Sequence, residues 1–287
     1  MQVLDQITDL IRSRRTQIPT LPVIVQKVFN LACSDDTSVP QMVSVISKDQ
    51  AIANKLLRLA NSAYFGFSSK VDSIHRAISL LGFNEVLGLV VGMSVFSAFK
   101  GKGSKEVLDM DGLWVHSIGC ATAAREIAKK ILGGESELIF LNGLLHDMGK
   151  IFFSVYFPDE YSAVMVTAQD DHTPLFKQEE KIMGLSHAEI AGLLMSYWKF
   201  PDTLMIPCRF HHNADHCPHD HQRAAWIVQL ADNLCHRARI GESGNPAIVK
   251  DESIRGQIGL SVNDQKEVMK RLEEQKEQIE EFLDYSS

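Results

Sequence analysis

Seven side chains of this sequence are histidines and aspartates of the kind that bind metal ions. Neutral imidazole nitrogens and ionised carboxylate oxygens are ligands that Fe, Mn, Zn and Ni accept, and one carboxylate can bridge two ions. Because the set is spread along the chain, it predicts a metal site assembled from several helices. The predicted ligands are His116, His146, Asp147, His187, His211, His212 and Asp232.

Lys150 belongs to the same pattern. It lies four residues after His146 and three after Asp147, which places all three towards one side of a helix. A lysine at this position could contact a phosphate oxygen, act as a partner of the metal-binding carboxylate, or lie solvated at the surface. Asp147 and Lys150 are the catalytic candidates.

A second cluster, made of His216, Cys217, His219 and His221, follows the paired histidines. Its spacing matches no standard zinc module, and the interspersed proline and aspartates indicate an exposed loop. Five further side chains are expected to be structural or simply buried: His75, His172, His236, Cys208 and Cys235.

The elements that must position these residues are helices. Apolar residues recur at helical spacing along nearly the whole chain, which predicts an all-α fold. A buried strand is the alternative for the apolar stretch at 86–95, but its length favours a helix over 85–99, capped by Asn84. Ser38 and Ser186 are predicted helix starts, the latter in a capping box with Glu189. A single helix over 137–153 is predicted to carry His146, Asp147 and Lys150.

The short polar, glycine-containing stretch at 101–105 is the best internal hinge. It divides the sequence into an N-terminal helical lobe (1–103), a metal-binding helical lobe (104–240) and a C-terminal extension (241–287). Apolar residues at 268–282 predict that the extension ends in a packing helix, with the seam of a homodimer as the alternative.

The composition limits the classes of function. The chain has 287 residues, a formal charge of -7 and five cysteines without a CxxC pair. These features argue against a disulfide framework and a zinc ribbon and favour a reducing cytoplasm. With no signal peptide and no membrane-spanning apolar run, we expect a soluble protein. Nucleic acid is an unlikely main partner for so acidic a chain, although a local basic pocket for a small phosphate ligand remains open.

Two connected sets of motifs resemble the HDOD family. In the first lobe they are Ile-Pro-Thr-Leu-Pro at 18–22, Ile-Ser-Lys-Asp-Gln at 46–50, Leu-Leu-Arg-Leu-Ala-Asn-Ser at 56–62 and Ala-Ile-Ser-Leu-Leu-Gly at 77–82. In the second they are Trp-Val-His at 114–116, Gly-Leu-Leu-His-Asp-Met-Gly-Lys at 143–150, Gly-Leu-Ser-His-Ala-Glu at 184–189 and Tyr-Trp-Lys-Phe-Pro at 197–201. The resemblance covers about residues 18–213.

This resemblance implies a two-lobed helical fold related to the HD superfamily of metal-dependent phosphohydrolases. Many HDOD proteins have lost metal-binding positions, whereas the seven residues here follow the order of the metal cluster in HD-GYP phosphodiesterases. The Gly-Tyr-Pro signature that should follow the paired histidines is replaced by other residues at 213–221. The resemblance therefore does not support cyclic di-GMP as the substrate.

With this resemblance as a guide, one ion is assigned to His116, His146, Asp147 and Asp232. A second ion is assigned to His187, His211 and His212, with Asp147 bridging. Two ions about 3.5–4 Å apart can stabilise the attacking and leaving oxygens of phosphoester hydrolysis.

Two hypotheses follow. The first is a signalling protein that binds one or two divalent ions (Fe, Mn, Ni or Zn) and hydrolyses a phosphorylated small molecule or nucleotide. The alternative is a non-catalytic signalling scaffold whose metal is structural, regulatory or absent. In either case the signal would pass through a separate partner protein, since the sequence shows no receiver or output domain.

Overall fold

The computed structural model describes residues 3–12, 18–32, 38–99, 101–102, 106–132, 138–247 and 252–281. Across these ranges every regular element is a helix, which confirms the all-α prediction. The N-terminal helices are α1 (Val3–Arg12), α2 (Val23–Ala32), α3 (Val39–Ile46), α4 (Gln50–Ala60), α5 (Ile74–Leu81) and α6 (Phe83–Phe99). The remaining helices are α7 (Met110–Leu132), α8 (Ile139–Leu145), α9 (Met148–Tyr156), α10 (Pro158–Asp171), α11 (Leu175–Met183), α12 (His187–Tyr197), α13 (Asp202–Phe210), α14 (His219–Ala238), α15 (Glu252–Ile258) and α16 (Val262–Glu281).

Serine side chains begin several of these helices, as the sequence predicts. Ser38 precedes α3, and its backbone N–H donates to Gln41 Oε1 at 2.7 Å. Ser186 precedes α12 in a reciprocal capping box with Glu189, with bonds of 3.3 Å and 3.0 Å. This cap fixes His187 as the first residue of α12 and thereby sets its direction.

The prediction of one helix over 137–153 is wrong at its centre. Helix α8 ends at Leu145 and α9 begins at Met148, so His146 and Asp147 form the turn between them. The imidazole Nδ1 of His146 bonds to the carbonyl of Gly143 at 2.8 Å, and such side-chain bonds compete with the helical ladder. Because of this turn, the two side chains can face the same interior space from the junction of two helices.

Other boundaries differ less. Helix α6 begins at Phe83, so Asn84 lies inside its first turn rather than capping it, and α7 begins at Met110 rather than Trp114. The hinge predicted at 101–105 lies partly outside the described residues. The lobe boundaries remain predictions.

One continuous apolar core joins the N-terminal helices to the rest of the chain. The Phe29 and Phe200 rings lie 5.0 Å apart, and Trp198 Nε1 donates to the carbonyl of Pro19 at 3.0 Å. Helix α7 is buried along most of its length and contacts α8, α14 and α16. It therefore forms the central support for residues contributed by α8 and α14.

The C-terminal helix α16 packs on α7, as the packing-helix prediction requires. Val268 and Leu272 are buried, Arg271 pairs with Glu126, and Lys130 lies 3.3 Å from Asp264. The alternative of a dimer seam is untested.

None of the described helices is by itself long and apolar enough to span a membrane. Helices α5 and α6 reach that threshold only together, with a bend of 116° between them.

Candidate metal centre

Asp147 is at the centre of the histidine and aspartate cluster. Its side chain is 2% exposed, and its two oxygens face different groups of ligands. Oδ2 lies 3.3 Å from His146 Nε2 and 3.8 Å from His116 Nε2. Oδ1 lies 3.1 Å from His187 Nε2 and 3.9 Å from His211 Nε2. The carboxylate thus lies between two sets of nitrogen donors.

The first group contains His116, Cys120, His146 and Asp232, all buried. His116 Nε2 lies 3.0 Å from Asp232 Oδ1, and His146 Nε2 lies 3.8 Å from the same oxygen. The ligand atoms of all four lie within 4.8 Å of one another, close enough for a single ion. Helices α7 and α14 and the α8–α9 turn provide them.

The second group contains Asp147, His187, His211 and His212. His187 Nε2 lies 3.0 Å from His212 Nε2, and the His212 ring stacks on Phe176 with centroids 4.5 Å apart. His211 ends α13 and His212 follows it, so this group is built by α12, the end of α13 and Asp147. His212 is half-buried, whereas the other three are buried.

The ring nitrogens that face away from the cluster are held by fixed acceptors. Nδ1 of His146 bonds to Gly143 O at 2.8 Å, and Nδ1 of His211 bonds to Cys208 O at 2.7 Å. A carbonyl oxygen only accepts, so these bonds place a proton on Nδ1, and in the neutral form of each ring Nε2 carries the lone pair. In both rings the nitrogen available to a metal is the one that faces the cluster.

Glu179 holds His187 in the same way, although sequence reasoning did not select it. Its Oε2 accepts from the backbone N–H of His187 at 2.7 Å and lies 2.6 Å from His187 Nδ1. Its Oε1 accepts from the Tyr161 hydroxyl at 3.1 Å. A carboxylate behind a metal-binding imidazole is a common arrangement. The sequence offers little signal for it, because Glu179 lies among other charged residues of α11.

Lys150 is buried, which excludes the solvated surface position among its three predicted roles. Its ammonium group donates to Asp147 Oδ2 at 2.7 Å and to the carbonyl of Ser243 at 3.0 Å. These contacts match the predicted role as partner of the carboxylate. Ser243 in turn links to His236 Nε2 at 2.7 Å.

Cys120 and His236 are two further residues that sequence reasoning left out of the site. Cys120 Sγ lies 3.9 Å from Nε2 of both His116 and His146. His236 Nε2 lies 4.0 Å from Asp232 Oδ1. The spacing could have revealed both, because Cys120 follows His116 by four residues and His236 follows Asp232 by four, which is one helical turn.

Two members of the cluster, Asp147 and His211, are already in the protonation state that binds metal. Burial opposes ionisation of Asp147, but His146 and Lys150 outweigh it and hold the pKa of the carboxyl well below its usual range. Burial, with His146 and His187 nearby, lowers the pKa of His211 to about 3. An ionised carboxylate and a neutral imidazole are the forms that bind metals.

Two buried atoms of the cluster make no well-aligned hydrogen bond: Asp147 Oδ1, although His187 Nε2 lies 3.1 Å away, and His211 Nε2. Leaving a buried polar atom unpaired costs about 1–3 kcal/mol. Both atoms face the second group, and together with the surrounding donors they fit a divalent metal ion. The donor set is therefore suited to the metal that the sequence predicts.

The remaining histidines lie elsewhere. His216 is exposed in a short 3-10 turn (Ala214–His216), while His219 and His221 begin α14 rather than lying in a loop. In the part of the chain that the structure describes, the groups able to hold a metal do not include these residues, His75 or His172. Cys208 and Cys235 are buried, as predicted.

Comparisons with known proteins agree with the resemblance seen in the motifs. The model of the HDOD domain matches residues 18–214. An uncharacterized protein of Treponema pallidum (strain Nichols) is 25% identical over 236 residues, which are 81% of this chain but only 45% of that protein. The chain thus spans less than half the length of this curated relative.

Two solved structures share the architecture. An HDOD domain protein of unknown function from Geobacter sulfurreducens has a TM-score of 0.82 and 24% identity, with 98% of this chain and 97% of that one covered. A protein from Shewanella amazonensis whose name describes it as a phosphohydrolase has a TM-score of 0.76 and 22% identity. The match covers 99% of this chain and 98% of that one. At these identities the likeness establishes the fold.

Proposed function

The chain belongs to the HDOD family, and on that premise we propose that it is a signalling protein whose buried cluster binds one or two divalent metal ions and hydrolyses a phosphate ester. The substrate class we propose is a phosphorylated small molecule or nucleotide. The ions we propose are Fe, Mn, Ni or Zn, because the donors are imidazoles and carboxylates. A separate protein partner would receive the signal.

The observation that carries this proposal is the position of Asp147 between two groups of donors. Its Oδ2 lies 3.3 Å from His146 Nε2, and its Oδ1 lies 3.1 Å from His187 Nε2. A buried carboxylate shared by two sets of imidazoles is the arrangement that two-metal hydrolytic sites use. The Oδ1 atom, which makes no well-aligned hydrogen bond, supports the same interpretation.

Three residues of the cluster have defined tasks under this proposal. Asp147 links the two groups, and Lys150 fixes its orientation and balances part of its charge through the 2.7 Å bond to Oδ2. Glu179 holds His187 so that Nε2 faces Asp147. Two bound ions would supply electrostatic stabilisation of the oxygens that carry charge in the transition state.

A second candidate function, a non-catalytic signalling scaffold with a structural or regulatory metal, is favoured by the burial of the cluster. His116, His146, Asp147, His187 and His211 are at most 1% exposed. Catalytic sites keep a coordination position open to substrate, whereas structural sites are closed by protein ligands. His212, which is half-buried, is the most exposed member of the two groups.

The first experiment is elemental analysis of protein purified without a histidine tag. We expect one or two transition-metal ions per chain in the wild type and none in the double variant His146→Ala/Asp147→Ala. The control is His219→Ala, whose side chain is 97% exposed and should leave the metal content unchanged. Absence of metal in reconstituted wild-type protein would refute the proposal.

Catalysis needs its own measurement. The metal-loaded wild type should hydrolyse at least one compound in a panel of phosphomonoesters, phosphodiesters and nucleotides, and the double variant should hydrolyse none of them. Stoichiometric metal with no hydrolysis of any compound would instead support the scaffold.

A further inference from the structure

The thiol of Cys120 lies inside the first group of donors. Its Sγ is 3.9 Å from His116 Nε2 and 3.9 Å from His146 Nε2, and the residue is fully buried. Helix α7 brings Cys120 and His116 to the same face, since they are one turn apart. The two imidazoles and the thiol therefore face one enclosed space, with Asp232 on its other side.

The separations between these donors come close to those of a tetrahedral metal site. With metal–ligand distances of 2.0–2.3 Å, the edges of a tetrahedron are roughly 3.3–3.8 Å long. The observed distances are 3.0 Å from His116 to Asp232, 3.8 Å from His146 to Asp232, and 3.9 Å from Cys120 to each histidine. Small side-chain adjustments would bring all four donors to one ion.

We infer that Cys120 binds the metal of the first group as a thiolate, so that this site is sulfur-containing and chemically different from the second. The inference rests on the metal binding proposed above and names a ligand that the histidine and aspartate pattern does not include. On binding, the thiol releases its proton to solvent and forms a sulfur–metal bond, with no change of oxidation state.

The thiolate sets the class of metal at the first site. Soft sulfur ligands favour Zn, and also Fe or Co, over Mg and Mn, which prefer oxygen. Together with the shared Asp147, the donors His116, Cys120, His146 and Asp232 would fill the coordination positions of the first ion. The second group, which includes the half-buried His212, is then the more exposed of the two sites.

The chain provides matched controls for this inference. Cys235 is also buried and lies near the cluster, but its Sγ donates to the carbonyls of His116 at 3.5 Å and Ile240 at 3.6 Å. Cys208 is buried beside Asn142, whose carbonyl it contacts at 3.4 Å. Neither thiol belongs to the four donors of the first group. Cys235 does interact with the side chains of His116 and Cys120, whereas Cys208 does not, so Cys208 is the more distant control.

The test is titration of metal-free protein with Co(II), followed by absorption spectroscopy. The wild type should show a thiolate-to-cobalt charge-transfer band in the near ultraviolet. Cys120→Ser should bind cobalt without this band, while Cys235→Ser and Cys208→Ser should retain it. X-ray absorption at the zinc edge of the wild type, which needs no variant, should detect one sulfur at about 2.3 Å.

Each outcome separates this inference from the proposed function. Cobalt bound without the band, or a zinc spectrum with only nitrogen and oxygen neighbours, would refute Cys120 ligation and leave the proposed metal site intact. Loss of the band in Cys235→Ser but not in Cys120→Ser would also refute it. A wild type that binds neither cobalt nor zinc would overturn the proposed function itself.

Discussion

The ammonium group of Lys150 lies 2.7 Å from Oδ2 of Asp147, and both side chains are only 2% exposed. Through this ion pair Asp147 is connected to the segment that follows α14, because Lys150 also donates to the carbonyl of Ser243. An ion pair in the interior is costly to break, since the remaining charge is left without its partner.

Replacing Lys150 with methionine should destabilise the metal-free protein. Removing one partner of a buried pair costs about 3–5 kcal/mol. The measurement is the free energy of unfolding in denaturant with a chelator present. The matched control is Lys270→Met, which removes a lysine that is 75% exposed and paired with Glu274 at the surface, and should cost at most about 1 kcal/mol. Equal effects of the two variants would contradict the structural role of Lys150.

Metal binding should release protons. Burial disfavours the charged form of His146, but Asp147 and Asp232 outweigh it and raise its pKa to about 9 in the metal-free cluster. His146 is therefore protonated at pH 7.5 and must lose that proton to coordinate. His211, with a pKa of about 3, is already neutral and contributes none.

Calorimetry of Zn binding in buffers of different ionisation enthalpy measures this release. We expect at least one proton per chain at pH 7.5 and an affinity that increases as pH rises from about 6.5 towards 9, as His146 becomes neutral. An affinity that does not change over this range would contradict the raised pKa.

Glu179→Gln should weaken metal binding without removing any ligand. The carboxylate holds His187 through both its ring and its backbone, and loss of such an outer partner typically costs 10–100-fold in metal affinity. Competition with a coloured chelator measures the change. Glu180→Gln, at the exposed neighbouring position, should bind metal like the wild type. A Glu179→Gln protein with unchanged affinity would show that the His187 ring needs no such support.

Gly149→Ala should disturb the approach of α9 to α12. A Cβ at this position would lie 2.0 Å from the carbonyl oxygen of His187, and a backbone atom cannot yield as a flexible side chain does. Overpacking of this kind costs about 1–3 kcal/mol. The matched control is Gly256→Ala in α15, where nothing lies within 4 Å and the helix should gain up to about 1 kcal/mol. Thermal unfolding of both variants gives the comparison.

The sequence by itself determined the all-α fold and most of the candidate metal ligands. Apolar spacing predicts the all-α fold, and the capping box of Ser186 and Glu189 predicts the start of α12 and hence the place of His187. These signals are local, because a helix and its cap depend on residues within about one turn. The histidines and aspartates were recognisable because their residue types carry the chemistry.

Tertiary structure decided how these residues meet. Asp147 lies between two donor groups because the chain turns at His146 instead of continuing as one helix, and Cys120 joins the first group because α7 packs against α8 and α14. Glu179 reaches His187 from a different helix. Such contacts depend on how buried helices pack across the core, which periodicity along the sequence does not encode. The sequence therefore determined which residues could bind a metal, whereas packing decided which of them face one another.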